Sequence, residues 1–395
     1  MSRLEGLIQQ YCPDGVEYKK LGEILGVNRG KRLTKSELSE DGQYYVYHGS
    51  KDTPLGKYTQ FNVKGSTTIV VNTGGIGGVK FCADDFWCSD GSFWIGHSEL
   101  LNDKYVYYFL SPLETYFASQ KRVGGVPTID RSVVENVSIP VPPLPVQEEI
   151  VRILDCFAEL QAELQAELQK RRKQYEYYRD KLLTFSDLEK LGGWNVSVQW
   201  MKLGEIATLI RGGNFQKKDF TDSGVPCIHY GQIYTHFGIH TTSTLKYISP
   251  DVASKSKIAK TNDIVMAITS ENVEDVGKCV AWMGDEDIAV SGHTAIIQHK
   301  QNAKYLSYYF HSSHFFTQKK RLAHGTKVIE ISPKDLANVV IPIPPLAEQQ
   351  RIVDILDRFH ALTTDITAGL PAEIEARRKQ YEYYRDQLLT FKQKA

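Results

Sequence analysis

The chain contains the same 15-residue string twice. Residues 171–185 read RRKQYEYYRDKLLTF and residues 377–391 read RRKQYEYYRDQLLTF, so 14 of the 15 positions are identical. Chance does not supply that agreement across about 200 residues of chain. An internal repeat constrains the architecture more strongly than any local propensity. The fold must therefore contain the same structural unit twice.

The duplication extends well beyond this string. Residues 139–157 (IPVPPLPVQEEIVRILDCF) match residues 341–359 (IPIPPLAEQQRIVDILDRF), and KLGEIL at 20–25 matches KLGEIA at 202–207. The chain is therefore two copies of one unit, each a globular segment followed by a long helix. Outside these islands the two globular segments barely resemble each other. This pattern predicts two domains that share a fold and bind different ligands.

Each helical segment has a recognisable start and an apolar stripe. Prolines at 142, 143 and 145 prevent a helix from beginning earlier and suit a first helical turn. Apolar residues then recur in steps of three and four over about 40 residues, which predicts a coiled-coil helix of roughly 60 Å. Gly369 and Pro371 interrupt the second stripe, so a kink or short break is expected there.

Two apolar stripes in one chain most simply bury each other. The predicted helix–helix packing residues are Tyr175, Tyr178, Leu182, Tyr381, Tyr384 and Leu388. The charged flanks are expected to face partner proteins, and they include Arg172, Arg179, Arg378 and Arg385. Residues 158–169 of the first helix repeat AELQ three times. These repeats are either plain helix-forming sequence or an adjustable spacer.

The globular segments, about residues 14–139 and 197–341, predict a mixture of strands and helices. Strand-like runs lie at 44–47, 67–71, 225–229 and 263–268, between glycine-rich turns. A tyrosine-rich helical stretch follows in each unit, at 104–110 and 304–310. The expected fold class is α+β. Two globular mixed α/β domains are expected to be separated by two long helices, in an internal pseudo-twofold repeat.

Composition excludes several classes of protein. Hydrophobic residues make up 42% of the chain, which is enough for packed cores, and the formal net charge is zero. The six cysteines form no CxxC pair, the first residues do not resemble a signal peptide, and no apolar run is long enough to span a membrane. These features predict a reduced, cytoplasmic protein without a membrane segment.

No catalytic motif or cofactor motif recurs in both copies. The sequence contains no HExxH and no Asp-Pro-Pro-Tyr or Asn-Pro-Pro-Tyr motif, and its glycine-rich stretches do not match a phosphate-binding loop. The histidines at 229, 236 and 240 have His48 as their one counterpart nearby, one position out of register, so a metal site is not expected. A duplicated enzyme would duplicate its active site. We therefore expect a non-catalytic protein with no cofactor and no metal.

Basic residues, in contrast, do recur. An offset of 182 residues aligns Arg29-Gly30 with Arg211-Gly212 and Lys35 with Lys217. Basic and amide side chains beside glycine turns are typical of contacts with phosphates and base edges, although any single cluster could equally be a solvated loop. The residues predicted to contact nucleic acid are Arg29, Lys31, Arg32, Lys35, Arg211, Gln216, Lys217 and Lys218. The basic residues expected to contact phosphates are Lys121, Arg122, Lys319, Lys320 and Arg321.

The Pro-Pro-Leu-x-x-Gln-x-x-Ile pattern, the helices ending RRKQYEYYRD-x-LL and the two divergent domains opening KLGEI resemble one family. They are similar to the specificity subunit of type I restriction–modification systems, over essentially the whole chain. The resemblance implies target recognition domains at 1–139, with a short N-terminal helix, and at 187–341. It implies conserved helical regions at 140–186 and 342–395, and it implies that these helices form an antiparallel coiled coil.

The resemblance also implies a function and partners. Each recognition domain would read one half of a bipartite site in double-stranded DNA, and the helices would set the spacing. The helices would also dock two methyltransferase (modification) subunits, which methylate adenine, and restriction (motor-nuclease) subunits would then join. Two alternatives remain open at this point. One is a self-contained DNA-modifying enzyme, and the other is a coiled-coil scaffold that does not contact DNA.

Overall fold

The computed structural model describes residues 3–122, 124–185, 197–364 and 369–394. These residues form two compact units. Unit 1 contains Met1–Gln165 together with Ile374–Ala395, and unit 2 contains Ala166–Glu373. Because each unit combines a globular segment with parts of the long helices, the units do not coincide with the segments read from the sequence.

Unit 1 alternates short strands with short helices. Its strands are β1 (Tyr18–Lys20), β2 (Val27–Arg29), β3 (Tyr44–Tyr47), β4 (Gly56–Tyr58), β5 (Thr67–Val71), β6 (Val79–Cys82), β7 (Trp87–Cys88), β8 (Ser92–Ile95) and β9 (Ser138–Pro140). Its short helices are α1 (Arg3–Tyr11), α2 (Leu21–Ile24), α3 (Asp103–Leu110), α4 (Glu114–Ser119) and α5 (Arg131–Glu135). The long helix α6 (Leu144–Thr184) begins in unit 1 and ends in unit 2.

The core of unit 1 lies between an antiparallel sheet and its helices. The sheet has the strand order β2-β8-β5-β6, and every residue of its inner strand β5 is buried. A uniformly buried inner strand is expected where both faces of a sheet are covered. The tyrosine-rich helix α3 packs into the same core through Tyr105 and Tyr108. A second sheet of order β4-β3-β7 lies beside it, with β3 parallel to β7.

Unit 2 has the same plan with more strands. Its strands are β10 (Gln199–Lys202), β11 (Ala207–Arg211), β12 (Phe220–Thr221), β13 (Val225–Ile228), β14 (His240–Thr241), β15 (Lys246–Ile248), β16 (Lys257–Ala259), β17 (Ile264–Ala267), β18 (Thr269–Ser270), β19 (Cys279–Trp282), β20 (Ile288–Val290), β21 (Thr294–His299), β22 (Ile329–Glu330) and β23 (Val340–Ile343). Its helices, apart from the end of α6, are α7 (Leu203–Ile206), α8 (Tyr230–Thr235), α9 (Pro250–Ala253), α10 (Ala303–Phe310), α11 (Ser313–Leu322), α12 (Pro333–Leu336) and α13 (Leu346–Thr364).

The sheets of unit 2 repeat those of unit 1. The order β11-β21-β17-β19-β14 contains the counterpart of β2-β8-β5-β6, and the order β12-β15-β13-β20-β16 contains the counterpart of β3-β7 as β13-β20. The strand pair β10–β23 corresponds to β1–β9. Helix α10 replaces α3 and places fully buried tyrosines against the sheet. The mixed α/β domains and the two tyrosine-rich helices predicted from the sequence are confirmed.

Each unit joins its globular part to a pair of helices. In unit 1, the first half of α6 packs against α14 (Leu370–Leu388), and Phe157 contacts the rings of Tyr381 and Tyr384. In unit 2, the second half of α6 packs against α13, where Tyr178 stacks on Phe359 and Tyr175 lies against His360. Because Tyr175 pairs with the later residue and Tyr178 with the earlier one, α6 and α13 run antiparallel.

The repeated string contributes unequally to these helix contacts. Tyr175 and Leu182 are buried, Tyr178, Tyr381 and Leu388 are partly exposed, and Tyr384 is exposed although it stacks on Phe157. The arginines also divide. Arg179 and Arg385 lie over tyrosine rings of their own helices with side chains only 13% and 16% exposed, so they cover the helix rather than project from it. Arg172 and Arg378 are exposed.

The predicted helix boundaries can be compared directly with the structure. Helix α6 begins at Leu144, within the proline-rich start. The interruption expected at Gly369 and Pro371 falls at the beginning of α14, while residues 365–368 lie outside the described residues. No helix within the described part of the chain is both long enough and apolar enough to cross a membrane.

Candidate nucleic-acid interface

The two aligned Arg-Gly pairs occupy equivalent places, each at the end of the strand that begins the sheet order β2-β8-β5-β6 or β11-β21-β17-β19-β14. Arg29 ends β2 and Arg211 ends β11. Arg29 Nε donates to the Asp90 carbonyl oxygen at 3.3 Å, and Arg211 Nε donates to the Gly292 carbonyl oxygen at 3.4 Å. Both arginines are exposed. The same backbone contact therefore orients an exposed guanidinium at the same edge of each unit.

The glycine after each arginine is required by close backbone packing. A Cβ atom on Gly30 would lie 2.2 Å from the Ser89 carbonyl oxygen, and one on Gly212 would lie 2.0 Å from the Ser291 carbonyl oxygen. Neither distance is permitted for a real side chain. Glycine is the residue that allows this approach. Close packing thus explains why the glycine recurs, while both arginines remain exposed, Arg211 in an ion pair with Glu330.

The basic loops that follow also occupy matched places. A short 3₁₀ helix begins at Lys35 in unit 1 and at Lys217 in unit 2. Each has an acidic cap, since the Thr34 amide donates to Glu37 at 2.7 Å and the Gln216 amide donates to Asp219 at 2.7 Å. The predicted contact residues of these loops are all exposed, namely Lys31, Arg32, Lys35, Gln216, Lys217 and Lys218. The alignment by 182 residues therefore corresponds to a structural match here.

The histidines His48 and His229 are structural equivalents, although the sequence alignment placed them one position apart. Strand β3 pairs Tyr47 with Cys88, and β13 pairs Ile228 with Val290. The residue after each strand is therefore histidine. His229 is buried, its Nδ1 accepts from the Gly231 amide at 3.2 Å, and burial lowers its pKa to about 4. It is neutral near pH 7 and shapes the loop as a hydrogen-bond acceptor.

The later basic cluster separates into exposed and buried residues. Lys121, Arg122, Lys320 and Arg321 are exposed, and Arg122 forms an ion pair with Asp130. Lys319 is only 4% exposed, and its ammonium group donates to the carbonyl oxygens of Glu274 and Val276 at 2.9 and 2.6 Å. Burial lowers the Lys319 pKa to about 8. Lys319 therefore has a structural role. Its charge is not at the surface, contrary to the expectation that it contacts phosphates.

The part of unit 2 next to Arg211 also contains a cavity that the sequence did not reveal. The cavity has a volume of about 390 Å³ and is open to solvent. Its aromatic wall is formed by Tyr230, Tyr234 and His293, and the rings of Tyr230 and His293 are 5.0 Å apart. Among the described residues, no group of three or more His, Cys, Asp or Glu side chains is placed to hold a metal ion.

The "loop face" of unit 1 comprises residues 29–31, 48–49, 72–74 and 89–91, and that of unit 2 comprises residues 211–213, 229–231, 268–270 and 291–293. Within each unit these loops are linked by backbone hydrogen bonds, such as Lys31 to Cys88 at 2.9 Å and Gly213 to Val290 at 2.8 Å. Each loop face combines an exposed arginine with glycine-rich turns and neutral polar groups, which suits contact with phosphates and base edges.

Comparison with known proteins identifies the family. The model of the type I restriction modification DNA specificity domain matches residues 13–171 and again residues 195–376. A putative type I restriction enzyme specificity subunit from Haemophilus influenzae is 30% identical over 398 residues, covering 95% of this chain and 96% of that protein. A type I restriction enzyme specificity subunit from Escherichia coli is 37% identical over 305 residues, covering 73% of this chain and 70% of that protein.

Solved structures have the same fold. The type I restriction–modification S subunit from M. genitalium aligns with a TM-score of 0.51 and 15% identity over 95% of each chain. A chain from a structure of complex assembly in a type I R-M system aligns with a TM-score of 0.59 and 20% identity, covering 95% of this chain and 98% of that chain. The protein belongs to the family of type I restriction–modification DNA specificity subunits.

Proposed function

We propose that this chain is the sequence-reading subunit of a type I restriction–modification complex. The globular part of each unit contacts one half of a bipartite site in double-stranded DNA through its loop face. The observation that carries the proposal is the matched exposed guanidinium, Arg29 in unit 1 and Arg211 in unit 2, held by an equivalent backbone hydrogen bond in both units. Both units present the same cation at the same edge, although the loops around it differ. This suits DNA, whose phosphate charge is constant while its base sequence varies.

We propose a division of the chain into recognition and docking segments. The recognition domains are residues 1–139 and 187–341, and the helical regions are 140–186 and 342–395. The exposed basic residues of the loop clusters orient the protein on phosphates or read base edges. They comprise Arg29, Lys31, Arg32, Lys35, Lys121, Arg122, Arg211, Gln216, Lys217, Lys218, Lys320 and Arg321. The buried Lys319 is not carried into this set.

The docking of two modification subunits is supported by exposed apolar residues that occur once in each unit. Unit 1 exposes Leu144 and Tyr383, and unit 2 exposes their counterparts Leu346 and Tyr177. These four side chains are 40–62% exposed among the described residues. Aromatic and large aliphatic residues are typical anchors of protein interfaces. One partner surface that docks twice accounts for the repetition, and restriction subunits then join this assembly.

The chain itself is proposed to be non-catalytic and to act in the cytoplasm. The sequence contains no methyltransferase motif, so we assign methyl transfer to the modification subunits. The cysteines Cys12, Cys82, Cys88, Cys156, Cys227 and Cys279 carry free thiols, which is typical of reducing compartments. Purified alone, the chain should transfer no methyl group to any duplex. Methyl transfer by the isolated chain would instead support a self-contained enzyme.

The test uses the chain assembled with its modification subunits and the DNA site located by methylation mapping. Replacing Lys31, Arg32 and Lys35 with alanine, or Lys217 and Lys218 with alanine, should weaken binding and reduce its dependence on salt. Each lost phosphate contact lowers the slope of log affinity against log salt by about 0.9.

The matched controls remove exposed lysines at the opposite ends of the same sheets. Lys64 precedes β5 and Lys300 follows β21, whereas the loop faces lie at the other ends of these strands. Lys64→Ala and Lys300→Ala should retain both affinity and salt slope. Unchanged affinity and slope in the loop variants would refute the assignment of these loops. A wild-type complex with no affinity for DNA would support a scaffold without DNA contact.

A further inference from the structure

Each unit carries a tight turn that projects next to its loop face. In unit 1 the Arg122 amide donates to the Thr128 carbonyl oxygen at 2.9 Å, and Thr128 pairs with Thr73 of the loop face. In unit 2 the His324 amide donates to the Glu330 carbonyl oxygen at 3.0 Å, and Glu330 pairs with Thr269. The "tip turns" are residues 124–128 and 325–330. Both therefore leave the sheet at the same place.

The anchors at the base of the tip turns fix their equivalence. The Ile129 amide donates to the Asn72 carbonyl oxygen at 3.1 Å, and the Ile331 amide donates to the Ile268 carbonyl oxygen at 3.0 Å. Both isoleucine side chains are buried. Counting back from these anchors makes Val126 equivalent to Val328.

These two valines are among the most exposed apolar side chains of the described residues. Val126 is 74% exposed and Val328 is 58% exposed. A single exposed apolar residue needs no explanation. Here, however, the same exposed residue type stands at the same structural position of two turns whose other residues differ. The fold does not require valine at either position, because neither side chain is packed in a core.

Basic side chains flank both tips, and the carboxylates of Glu271, Asp275 and Glu330 also lie beside the tip of unit 2. Lys121 and Arg122 precede the tip in unit 1, and Arg321 and Lys327 lie around it in unit 2. Arg211 also contacts the turn directly, with its Nη2 3.0 Å from Glu330 Oε1. In unit 1 the link is indirect, since Asn72 Nδ2 and Arg29 Nε both donate to the Asp90 carbonyl oxygen. The apolar tips thus share one surface with the matched arginines.

We propose that each tip turn enters the major groove of its half-site and places its valine against the 5-methyl group of a thymine. The proposal rests on the DNA binding proposed above. The major groove admits a two-stranded ribbon, and the thymine methyl is the one apolar group that base edges present there. Against any other base edge, the isopropyl group of valine would displace water from hydrogen-bond donors and acceptors and offer them no hydrogen bond. Val126 and Val328 are therefore specificity-determining residues, one for each half-site.

The experiment replaces thymines of the mapped site one at a time with deoxyuridine, which lacks only the methyl group. Affinity of the chain–modification subunit complex for each duplex is measured by fluorescence anisotropy at fixed salt. In the wild-type complex, one replacement in each half-site should weaken binding by about fourfold. This is the affinity contributed by burying one methyl group, which deoxyuridine lacks. Val126→Ala should abolish this sensitivity in one half-site only, and Val328→Ala in the other.

Controls and contrary outcomes separate this inference from the proposed function. Leu100→Ala and Leu362→Ala remove exposed apolar side chains that follow β8 and lie on α13, outside the loop faces and the tip turns, and should keep both sensitivities. Deoxyuridine sensitivity that is absent in the wild type, or retained in both valine variants, would overturn the thymine contact while site-specific binding stands. Loss of modification-subunit binding in the valine variants would make the tips a protein contact instead. A wild-type complex that does not prefer the site over scrambled DNA would overturn both proposals.

Discussion

One carboxylate holds two side chains at the joint between the globular part and the helix of unit 2. Asp357 of α13 accepts from Lys304 Nζ at 2.6 Å and from the Tyr308 hydroxyl at 2.7 Å, both on α10. Unit 1 repeats the arrangement with Asp155, which accepts from Lys104 Nζ at 2.7 Å and from the Tyr108 hydroxyl at 2.6 Å. We predict that Asp357→Ala loosens this joint.

The magnitude follows from the burial of the two donors. Tyr308 is fully buried, so its hydroxyl would lose its partner without gaining water, which costs about 1–3 kcal/mol. The ion pair with Lys304 is partly exposed and adds up to about 1 kcal/mol. Asp357→Ala should therefore lower the free energy of unfolding of unit 2 by about 2–3 kcal/mol. In a Tyr308→Phe background the same change should cost only about 1 kcal/mol, because no hydroxyl is left unpaired.

Hydrogen exchange of the α10 and α13 amides measures this free energy locally. Asp354→Ala is the matched control, since Asp354 is an exposed carboxylate on the same helix. The control should leave protection within about 0.5 kcal/mol of the wild type. Equal protection in Asp357→Ala and Asp354→Ala would refute the reasoning. So would an Asp357→Ala cost that is unchanged by Tyr308→Phe, because the coupling between the two groups would then be absent.

Three further predictions follow from the same geometry. Gly212→Ala should lower the melting temperature and weaken DNA binding, because its Cβ would lie 2.0 Å from the Ser291 carbonyl oxygen, whereas the open Gly238 should accept alanine. Between pH 6.5 and about 4, His229 binds a proton in the unfolded chain but not in the folded one, where it is buried. The free energy of unfolding should therefore fall as the pH falls. His229→Asn should reduce this dependence on pH when stability is measured across an acid titration. Variants of α6 with two or four AELQ units should shift the gap between half-sites by one or two base pairs in methylation maps, since each unit changes the helix by about 6 Å; an unchanged gap in active variants would contradict the spacer hypothesis.

The residues that recur in the sequence are those that build the joint between globular part and helix. The Asn102 amide donates to Gln147 Oε1 at 2.8 Å in unit 1, and the Asn302 amide donates to Gln349 Oε1 at 2.9 Å in unit 2. The joint must be made twice with the same geometry, so its residues stay alike. That is why the helices, the tyrosine-rich elements and the repeat could be predicted from the sequence.

The loop faces were harder to predict because strand pairing, not sequence similarity, sets their register. An offset of 182 residues relates Arg29 to Arg211, but an offset of 202 relates Asp90 to Gly292, since unit 2 inserts extra strands between them. Similarity alone could not reveal where the offset changes. For this reason the equivalence of His48 with His229 and that of the two tip valines were missed.

Lys319 illustrates a different limit. Within the Lys-Lys-Arg run at 319–321, helical rotation directs one side chain inward while its neighbours stay exposed. The run resembles a uniform basic patch in sequence. Only the position of the backbone carbonyls of Glu274 and Val276 shows that the first lysine is held inside.

The pairing of chain ends in unit 1 has a consequence for biosynthesis. Val16 exchanges backbone hydrogen bonds with Lys392 and Lys394, and Phe157 is covered by residues of α14. At about 5–20 residues per second, a ribosome needs tens of seconds to travel from Gln165 to Ile374. During that time unit 2 is synthesised, while the domain made first still lacks its closing segment. The nascent chain is therefore expected to complete its second recognition domain before its first. The apolar surface around Phe157 stays uncovered until α14 has been translated.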